Sequence, residues 1–394
     1  MIIKSILDTD LYKITMGQAI FMHYPKIDVT YRFVNRGQTI FPTGFKEKLI
    51  KEIKDLSKLK LTSGEKLFLE SIPYLKRTYI DWFANFQFNP KQVFLEQQNG
   101  EFICEIKGPW YQTVYWEVPL MAIISELYFK ETNQKANGRY LTRITEWKGE
   151  MFKDRQAKVA DFGTRRRFSF EVQKKVLNLL IRTAGKAKDG GFLNGTSNVY
   201  LAMKLGLTPI GTFAHEWIQA HSAIWGYERA TAEALRVWDE EFEAVLGIAL
   251  SDTYTTDEFL THFNNHYAKL FDGVRQDSGN PVMIMEKIIK HYQNLGINPK
   301  SKTFVASDNL SVVKVIAIQD ACRGRIQCSF GIGTNLTNDV DKKIKPLNMV
   351  IKLWDVTLPD GRIKKVVKLS DDSGKITGDS KEAEIARYVL FGKN

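Results

Sequence analysis

TFVASDNLS, residues 303 to 311, places a short apolar run before a small polar tip, and the apolar segment LSVVKVIAI, which has the length of a helix, overlaps its end. A short apolar run that stops at a polar turn and leads into a helix is typical of a buried strand in a parallel sheet. The stretch therefore predicts one unit of strand, loop and helix. Repeats of this unit decide the fold.

The same pattern occurs seven times between residues 159 and 336. The stretches are VADFGTRRR (159–167), GGFLNGTSN (190–198), PIGTFAHEW (209–217), GIALSDTYT (247–255), GVRQDSGNP (273–281), TFVASDNLS (303–311) and CSFGIGTNL (328–336). Repeated units of this kind predict parallel strands closed into an irregular TIM-like α/β barrel. In such barrels the loops after the strands converge on one site, so we expect the polar tips to share one site.

The flanking regions follow other patterns. Helical stretches at 9–24 and 45–71, an alternating run at 29–36 and a hairpin signal at Gln98-Asn99-Gly100 predict an α+β domain over residues 1–130.

The end of the chain, residues 346–394, carries two strand-like runs, 349–357 and 364–370, joined by the turn signal Leu358-Pro359-Asp360-Gly361. We expect this C-terminal tail to pack back on the N-terminal domain, which leaves residues 131–345 as the barrel.

Composition limits the class of protein. With 394 residues, 44% hydrophobic and 26% charged, the chain is of ordinary globular composition. Three cysteines without CxxC spacing favour a reducing compartment, and the absence of a signal-peptide pattern or a membrane-length apolar run predicts a cytoplasmic protein that does not enter membranes. The net charge of +11 fits phosphorylated ligands better than nucleic acid, because no nucleic-acid module is recognisable.

Carboxylates stand at four of the predicted tips: Asp161, Asp252, Asp277 and Asp308. Carboxylates that converge beside phosphates can hold Mg²⁺. The alternative is helix capping, which suits Ser307 and Asp308 in front of LSVVKVIAI.

Arginines and glycines add features of a phosphate site. Arg165, Arg166, Arg167 and Arg275 can bind phosphates through paired N–H groups, although a solvated charge run is the alternative for the triplet. The glycine-rich turns FGIGTN and GTSN can present backbone N–H groups to an anion, and a simple tight turn is the alternative for each glycine.

His215 ends the third predicted tip. A histidine there can act as acid, base or nucleophile when a carboxylate orients its other nitrogen, and Asp252 is the first candidate for that role, with Glu216 the second. The alternative is a hydrogen-bonded core histidine.

Eight segments together resemble nicotinate phosphoribosyltransferase of the bacterial type: DTDLYKITMGQAIF, DFGTRRRFS, GTSNVYLA, GTFAHEW, SDTYTTDEF, VRQDSGNP, VASDNL and FGIGTN. The resemblance implies transfer of phosphoribosyl from phosphoribosyl pyrophosphate to nicotinate, which gives nicotinate mononucleotide and pyrophosphate in NAD salvage. It also implies Mg²⁺, and coupling to ATP hydrolysis through a phosphohistidine at the position of His215.

The same resemblance implies a homodimer in which Phe162 stacks on the pyridine ring and Tyr12 of the second subunit covers it. Arg165 is expected at the nicotinate carboxylate or a donor phosphate, and Thr196 and Ser197 at the acceptor. Ser197 favours nicotinate, because the related nicotinamide enzyme has an aspartate there, which would repel a carboxylate.

For the donor, the resemblance implies that Arg275 binds the pyrophosphate, while Asp277 and Asp308 lie near the ribose and its magnesium. Gly331, Gly333 and Thr334 are expected to hold the 5′-phosphate. Two alternatives stay open at this point: a nicotinamide phosphoribosyltransferase, and a non-catalytic protein that binds phosphorylated nucleotides.

Overall fold

The computed structural model describes residues 1–98 and 100–392. In these residues eleven strands are present: β1 Asp28–Val34, β2 Val93–Gln98, β3 Glu101–Pro109, β4 Val159–Asp161, β5 Leu193–Thr196, β6 Ile248–Leu250, β7 Gly273–Gln276, β8 Thr303–Ala306, β9 Gln327–Ile332, β10 Val350–Thr357 and β11 Ile363–Lys365.

The same residues form seventeen α-helices: α1 Leu11–His23, α2 Phe45–Leu56, α3 Ser63–Glu70, α4 Arg77–Phe83, α5 Trp110–Thr113, α6 Glu117–Glu131, α7 Gly138–Asp154, α8 Phe170–Thr183, α9 Val199–Leu205, α10 His215–Trp225, α11 Tyr227–Phe242, α12 Thr256–His262, α13 Asn265–Leu270, α14 Pro281–Asn294, α15 Val312–Cys322, α16 Thr334–Thr337 and α17 Ser380–Phe391. None of these helices is long and apolar enough to cross a membrane.

An antiparallel sheet joins the two ends of the chain. Its strand order is β11-β10-β1-β3-β2, and β10 pairs with β1 from Asp28 opposite Thr357 to Val34 opposite Val350. The predicted hairpin is present, with Gln98 paired to Glu101, while Asn99 of its turn lies outside the described residues. The C-terminal tail thus contributes two strands to a sheet that otherwise comes from the first 110 residues.

The second sheet is parallel, with the order β5-β4-β9-β8-β7-β6. Six of the seven predicted strands form it. The prediction of a strand in PIGTFAHEW is wrong, because this segment makes only one isolated bridge, between Pro209 and Thr196. Proline cannot donate to a ladder, and Gly211 passes so close to α1 that a Cβ would lie 2.9 Å from the Tyr12 nitrogen.

Two local predictions also need correction. The helical stretch 45–71 is two helices, because Thr62 and Glu65 form a reciprocal capping box that starts α3. Capping by Ser307 or Asp308 is wrong, because α15 is capped by the Ser311 hydroxyl, which accepts from the Lys314 nitrogen. Both residues are therefore free of that structural role.

A fully buried lysine connects the N-terminal helix to two others. Lys13 of α1 lies 2.7 Å from Glu117 of α6 and 2.6 Å from Glu216 of α10. Burial opposes its charge, but the two carboxylates outweigh burial and raise the pKa of Lys13 above its ordinary value. The trio therefore fixes three helices that are distant in sequence.

We predict that Lys13→Met destabilises the fold by about 3–5 kcal/mol, because it leaves buried Glu216 without its counter-ion and Glu117 with Arg165 alone. The measurement is the shift of the urea unfolding midpoint. Lys364→Met on β11, where the side chains are exposed, is the matched control and should shift the midpoint little. Equal shifts for the two variants would contradict a structural role of the trio.

Candidate active site

A cavity of about 630 Å³ opens at the C-terminal ends of β4, β7, β8 and β9. His215 and Phe162 lie on its wall. Seven basic side chains and three acidic ones also line it: Arg36, Arg165, Arg166, Arg275, Lys352, Lys368 and Lys375, with Asp277, Asp308 and Asp372. The excess of positive charge favours a ligand that carries several negative charges.

His215 is the first residue of α10 and is 6% exposed. Its Nε2 lies 2.8 Å from Asp252 Oδ1. Burial lowers the pKa of His215 to about 4, with Lys368 acting in the same direction and Asp252 opposing it. At neutral pH the ring is therefore uncharged, Nε2–H donates to Asp252, and the lone pair stands on Nδ1.

The second carboxylate oxygen of Asp252 also accepts hydrogen bonds. Lys368 Nζ and the Ser278 hydroxyl both donate to Asp252 Oδ2 at 2.6 Å. Burial opposes ionisation, but His215 and Lys368 hold the pKa of Asp252 well below its usual range. Lys368 and Ser278 are absent from the sequence predictions; an isolated lysine in the apolar run VVKLS is the signal that could have found Lys368.

Side-chain hydrogen bonds join the C-terminal ends of β7 and β8. Arg275 Nε donates to Ser307 Oγ at 2.9 Å, and its Nη2 donates to Asp277 Oδ1 at 3.2 Å. Burial opposes the charge of Asp277, but Arg275 outweighs it and lowers the pKa of this carboxyl. This arrangement presents a guanidinium and a carboxylate together to the cavity.

The two predicted magnesium ligands both line the cavity. Lys375 from the C-terminal tail pairs with Asp308 and also donates to the Asp277 carbonyl at 3.2 Å, while the Asp277 carboxylate lies beside His215 and Asp252. Because His215 and Asp252 are already hydrogen-bonded to each other, that three-residue group is a hydrogen-bonding cluster. Both Asp277 and Asp308 are about a quarter exposed, and their oxygens are of the kind that Mg²⁺ prefers.

The aromatic ring of Phe162 packs against Gly331 of β9. A Cβ at Gly331 would overlap the ring of Phe162, and Gly331 is not among the residues that line the cavity. This glycine makes room for an aromatic ring, and its expected place at a phosphate stays a prediction. Gly333 and Thr334 do line the cavity.

Asp161 and Thr196 are buried and hydrogen-bonded to each other. Asp161 is fully buried and accepts hydrogen bonds from the Gly163 nitrogen, Gln173 Nε2 and Thr196 Oγ1, each at 2.8 Å. Burial raises its pKa to about 6 although these bonds oppose the shift. These bonds occupy both side chains in the structure, and the roles of Asp161 in metal binding and of Thr196 in substrate binding stay predictions.

Ser197 also lies behind the cavity wall. Its hydroxyl donates to Asp10 Oδ1 at 2.6 Å, and the residue is 4% exposed. Asp10 Oδ2 in turn lies 4.0 Å from Arg165 Nε. In the structure Asp10 therefore lies between Ser197 and Arg165, and the direct contact of Ser197 with a bound carboxylate stays a prediction.

The three consecutive arginines, Arg165, Arg166 and Arg167, differ in burial. The alternative interpretation of this triplet as a solvated charge run is wrong. Arg167 is completely buried and forms a two-pronged ion pair with Asp8 at 2.6 and 2.9 Å. Arg165 donates to Glu117 Oε1 at 3.2 Å, while Arg166 lines the cavity and donates to the Leu347 carbonyl at 3.4 Å.

Tyr12 reaches the site from the same chain. It lines a small cavity of about 40 Å³ that adjoins the large one, together with Arg165 and His215. Its hydroxyl donates to Glu117 Oε2 at 3.4 Å. Glu216 binds Lys13, so the suggestion that it orients His215 is wrong.

Comparisons with known proteins agree across the chain. Residues 157–391 match the nicotinate phosphoribosyltransferase (NAPRTase) family, and residues 7–125 match its N-terminal domain. The nicotinate phosphoribosyltransferase of Desulforapulum autotrophicum is 46% identical, over 98% of this chain and 99% of its own. That of Escherichia coli is 40% identical, over 95% of this chain and 92% of its own.

Solved structures give the same result. The nicotinate phosphoribosyltransferase of Porphyromonas gingivalis superposes with a TM-score of 0.95 at 42% identity, over 99% of this chain and 100% of that one. A putative nicotinate phosphoribosyltransferase of Saccharomyces cerevisiae gives a TM-score of 0.93 at 35% identity, over 100% of this chain and 99% of that one. The chain therefore belongs to the nicotinate phosphoribosyltransferase family.

Proposed function

We propose that the chain transfers phosphoribosyl from phosphoribosyl pyrophosphate to the ring nitrogen of nicotinate, which gives nicotinate mononucleotide and pyrophosphate. The observation that carries this proposal is a neutral, oriented His215 on the wall of a strongly basic cavity. Such a cavity suits a donor with many phosphate oxygens, and Phe162 offers an aromatic face to the pyridine ring.

In the transfer, the bond between the anomeric carbon and pyrophosphate breaks as the pyridine nitrogen bonds to that carbon. The nitrogen already carries a lone pair, so no strong base is required. The protein's task is to align the two reactants and to stabilise the negative charge of the leaving pyrophosphate. We assign the second task to Arg275, whose guanidinium lies 5.6 Å from the centre of the Phe162 ring.

We further propose that His215 Nδ1 attacks the terminal phosphorus of ATP. A nitrogen–phosphorus bond forms, the bond to the bridging oxygen breaks, and ADP leaves with that electron pair. The proton on Nε2 stays in the hydrogen bond to Asp252, which stabilises the positive charge that develops on the ring. Hydrolysis of the phosphohistidine by water then restores His215.

Magnesium fits the site through Asp277 and Asp308, whose carboxylates face the cavity between cationic neighbours. When bound, the ion would neutralise phosphate charge on the donor. The protein's own residues would hold the same phosphates: we assign Arg275 to the pyrophosphate, and Gly333 and Thr334 to the 5′-phosphate.

Three features of the architecture also belong to the proposal. We propose that segment 209–212 closes the parallel sheet into an irregular barrel, because Pro209 bridges to β5 and the Thr212 hydroxyl donates to the Ile248 carbonyl of β6 at 2.8 Å. We propose the domain limits expected from the sequence: 1–130 for the N-terminal domain, 131–345 for the barrel and 346–394 for the C-terminal tail.

The homodimer remains a prediction, although Tyr12 already reaches the site within one chain.

We predict that His215→Gln abolishes the stimulation of nicotinate mononucleotide synthesis by ATP but retains slow synthesis from nicotinate and phosphoribosyl pyrophosphate. The glutamine keeps polarity at this position but cannot accept a phosphoryl group. The assay compares initial rates with and without ATP at saturating Mg²⁺.

His262→Gln on α12 is the matched control, because this histidine pairs with Glu258 and does not line the cavity. It should respond to ATP as the wild type does. Equal ATP stimulation in His215→Gln and the wild type would remove His215 as the coupling residue and leave the transferase proposal standing.

We predict that Gly331→Ala raises the KM for nicotinate about tenfold or more, because the added methyl group displaces the Phe162 ring. The KM for phosphoribosyl pyrophosphate should change less. Gly64→Ala, at a position with no neighbour within 4 Å, should leave both constants near wild type. A nicotinate KM unchanged in Gly331→Ala would contradict stacking on Phe162.

A further inference from the structure

The small cavity adjoins the large one and shares five wall residues with it: Arg165, His215, Arg275, Asp277 and Lys352. Its volume is about 40 Å³. A single water needs about 10–15 Å³ by this kind of measure, so the space suits about three heavy atoms. That is the size of a carboxylate group, whereas a pyridine ring would have to lie in the large cavity.

Gln219 provides an unsatisfied amide on this wall. It lies one turn after His215 on α10 and is 1% exposed. Within residues 1–98 and 100–392, neither its Nε2 nor its Oε1 has a hydrogen-bond partner. Because a buried amide without partners is costly, the position calls for a polar group inside the cavity.

Lys352 provides a cation without a direct ion-pair partner on the same wall. Arg165 is paired with Glu117, and Arg275 is paired with Asp277. Across the described part of the chain, by contrast, Lys352 Nζ forms no ion pair within 4.0 Å and no side-chain hydrogen bond. Burial lowers its pKa to about 8 although the more distant carboxylates of Glu117 and Asp277 oppose the shift, so an anion in direct contact would stabilise its charged form.

We propose that Lys352 and Gln219 are the residues that select the carboxylate of the acceptor. Lys352 Nζ and Gln219 Nε2 donate to its two oxygens, while the ring lies against Phe162 in the large cavity. This inference rests on the proposed function and deepens it. It also replaces Ser197, whose hydroxyl is engaged by Asp10, as the determinant of acceptor choice.

The two residues have different tasks. Gln219 can serve a neutral amide as well as a carboxylate, because its own amide offers both a donor and an acceptor. Lys352 cannot, because an amide leaves its charge without a counter-ion. Selection between nicotinate and nicotinamide is therefore assigned to Lys352, and Gln219 is assigned to orientation.

The test compares Lys352→Met, Lys352→Arg and Gln219→Leu in the full-length protein, with saturating ATP and Mg²⁺. We expect Lys352→Met to lower kcat/KM for nicotinate about 10- to 100-fold, as is usual when a charge-assisted bond is lost. The inhibition constant of nicotinamide should change less than about threefold. Lys352→Arg should keep the preference for the acid, and Gln219→Leu should weaken both ligands.

Lys364→Met on the neighbouring strand β11 is the matched control and should leave all constants unchanged. A parallel measurement of nicotinate and nicotinamide binding by calorimetry does not depend on turnover, and thermal melting shows that each variant is folded. If the wild type bound nicotinate but made no product, the proposed function would fail while the selection by Lys352 could still be measured.

Three results would contradict the inference, two concerning Lys352 and one concerning Gln219. One is an equal loss of nicotinate and nicotinamide affinity in Lys352→Met, which would make the lysine a general wall residue. The other is an unchanged nicotinate affinity with a raised KM for phosphoribosyl pyrophosphate, which would assign Lys352 to the donor. Unchanged binding of both acceptors in Gln219→Leu would mean that its amide meets only water.

Discussion

The buried charge of Lys13 is the constraint on which the site depends. An ammonium group with no exposed surface is stable only when its counter-ions are fixed, and here Glu117 and Glu216 lie within 2.7 Å of it. Glu216 follows His215 at the start of α10, and Glu117 also accepts from Arg165. One ionic chain therefore sets the distance between the histidine and the arginine on the cavity wall.

The basic side chains differ in task. A cation that is completely buried with its carboxylate partner, as Arg167 is with Asp8, holds the fold. A cation on the cavity wall faces a ligand even where it has a carboxylate partner, as Arg275 has in Asp277. The C-terminal tail supplies three cavity cations, Lys352, Lys368 and Lys375, so pairing of β10 with β1 completes the electrostatics of a site built mainly on the parallel sheet.

Local sequence predicts those parts of the structure that local interactions determine. Apolar runs with polar tips identified six strands correctly, and they placed His215 and Asp252 at tips that the fold brings within 2.8 Å. The strand expected at 209–217 failed because Pro209 and the close approach of Gly211 to α1 are constraints from outside the run.

The missed residues have partners far along the chain. Lys13 meets Glu216 across 203 positions, and Lys368 meets Asp252 across 116, distances over which a single sequence carries no pairing signal. Glu216 shows the opposite error: adjacency to His215 suggested a partnership, but neighbouring residues on a helix diverge by about 100°. Its carboxylate consequently faces Lys13.

The same geometry explains how a phosphoryl group on His215 would act on the rest of the site in the proposed reaction. Asp252 is shared by His215 and Lys368, and Asp277 is shared by Arg275 and Ser307. A new group with nearly two negative charges would compete with both carboxylates for the same cations. Because Lys368 belongs to the C-terminal tail and Arg275 to β7, the competition reaches the tail and the donor site together. Phosphorylation and donor binding would thus be coupled through shared counter-ions, with no need for a large movement of the fold.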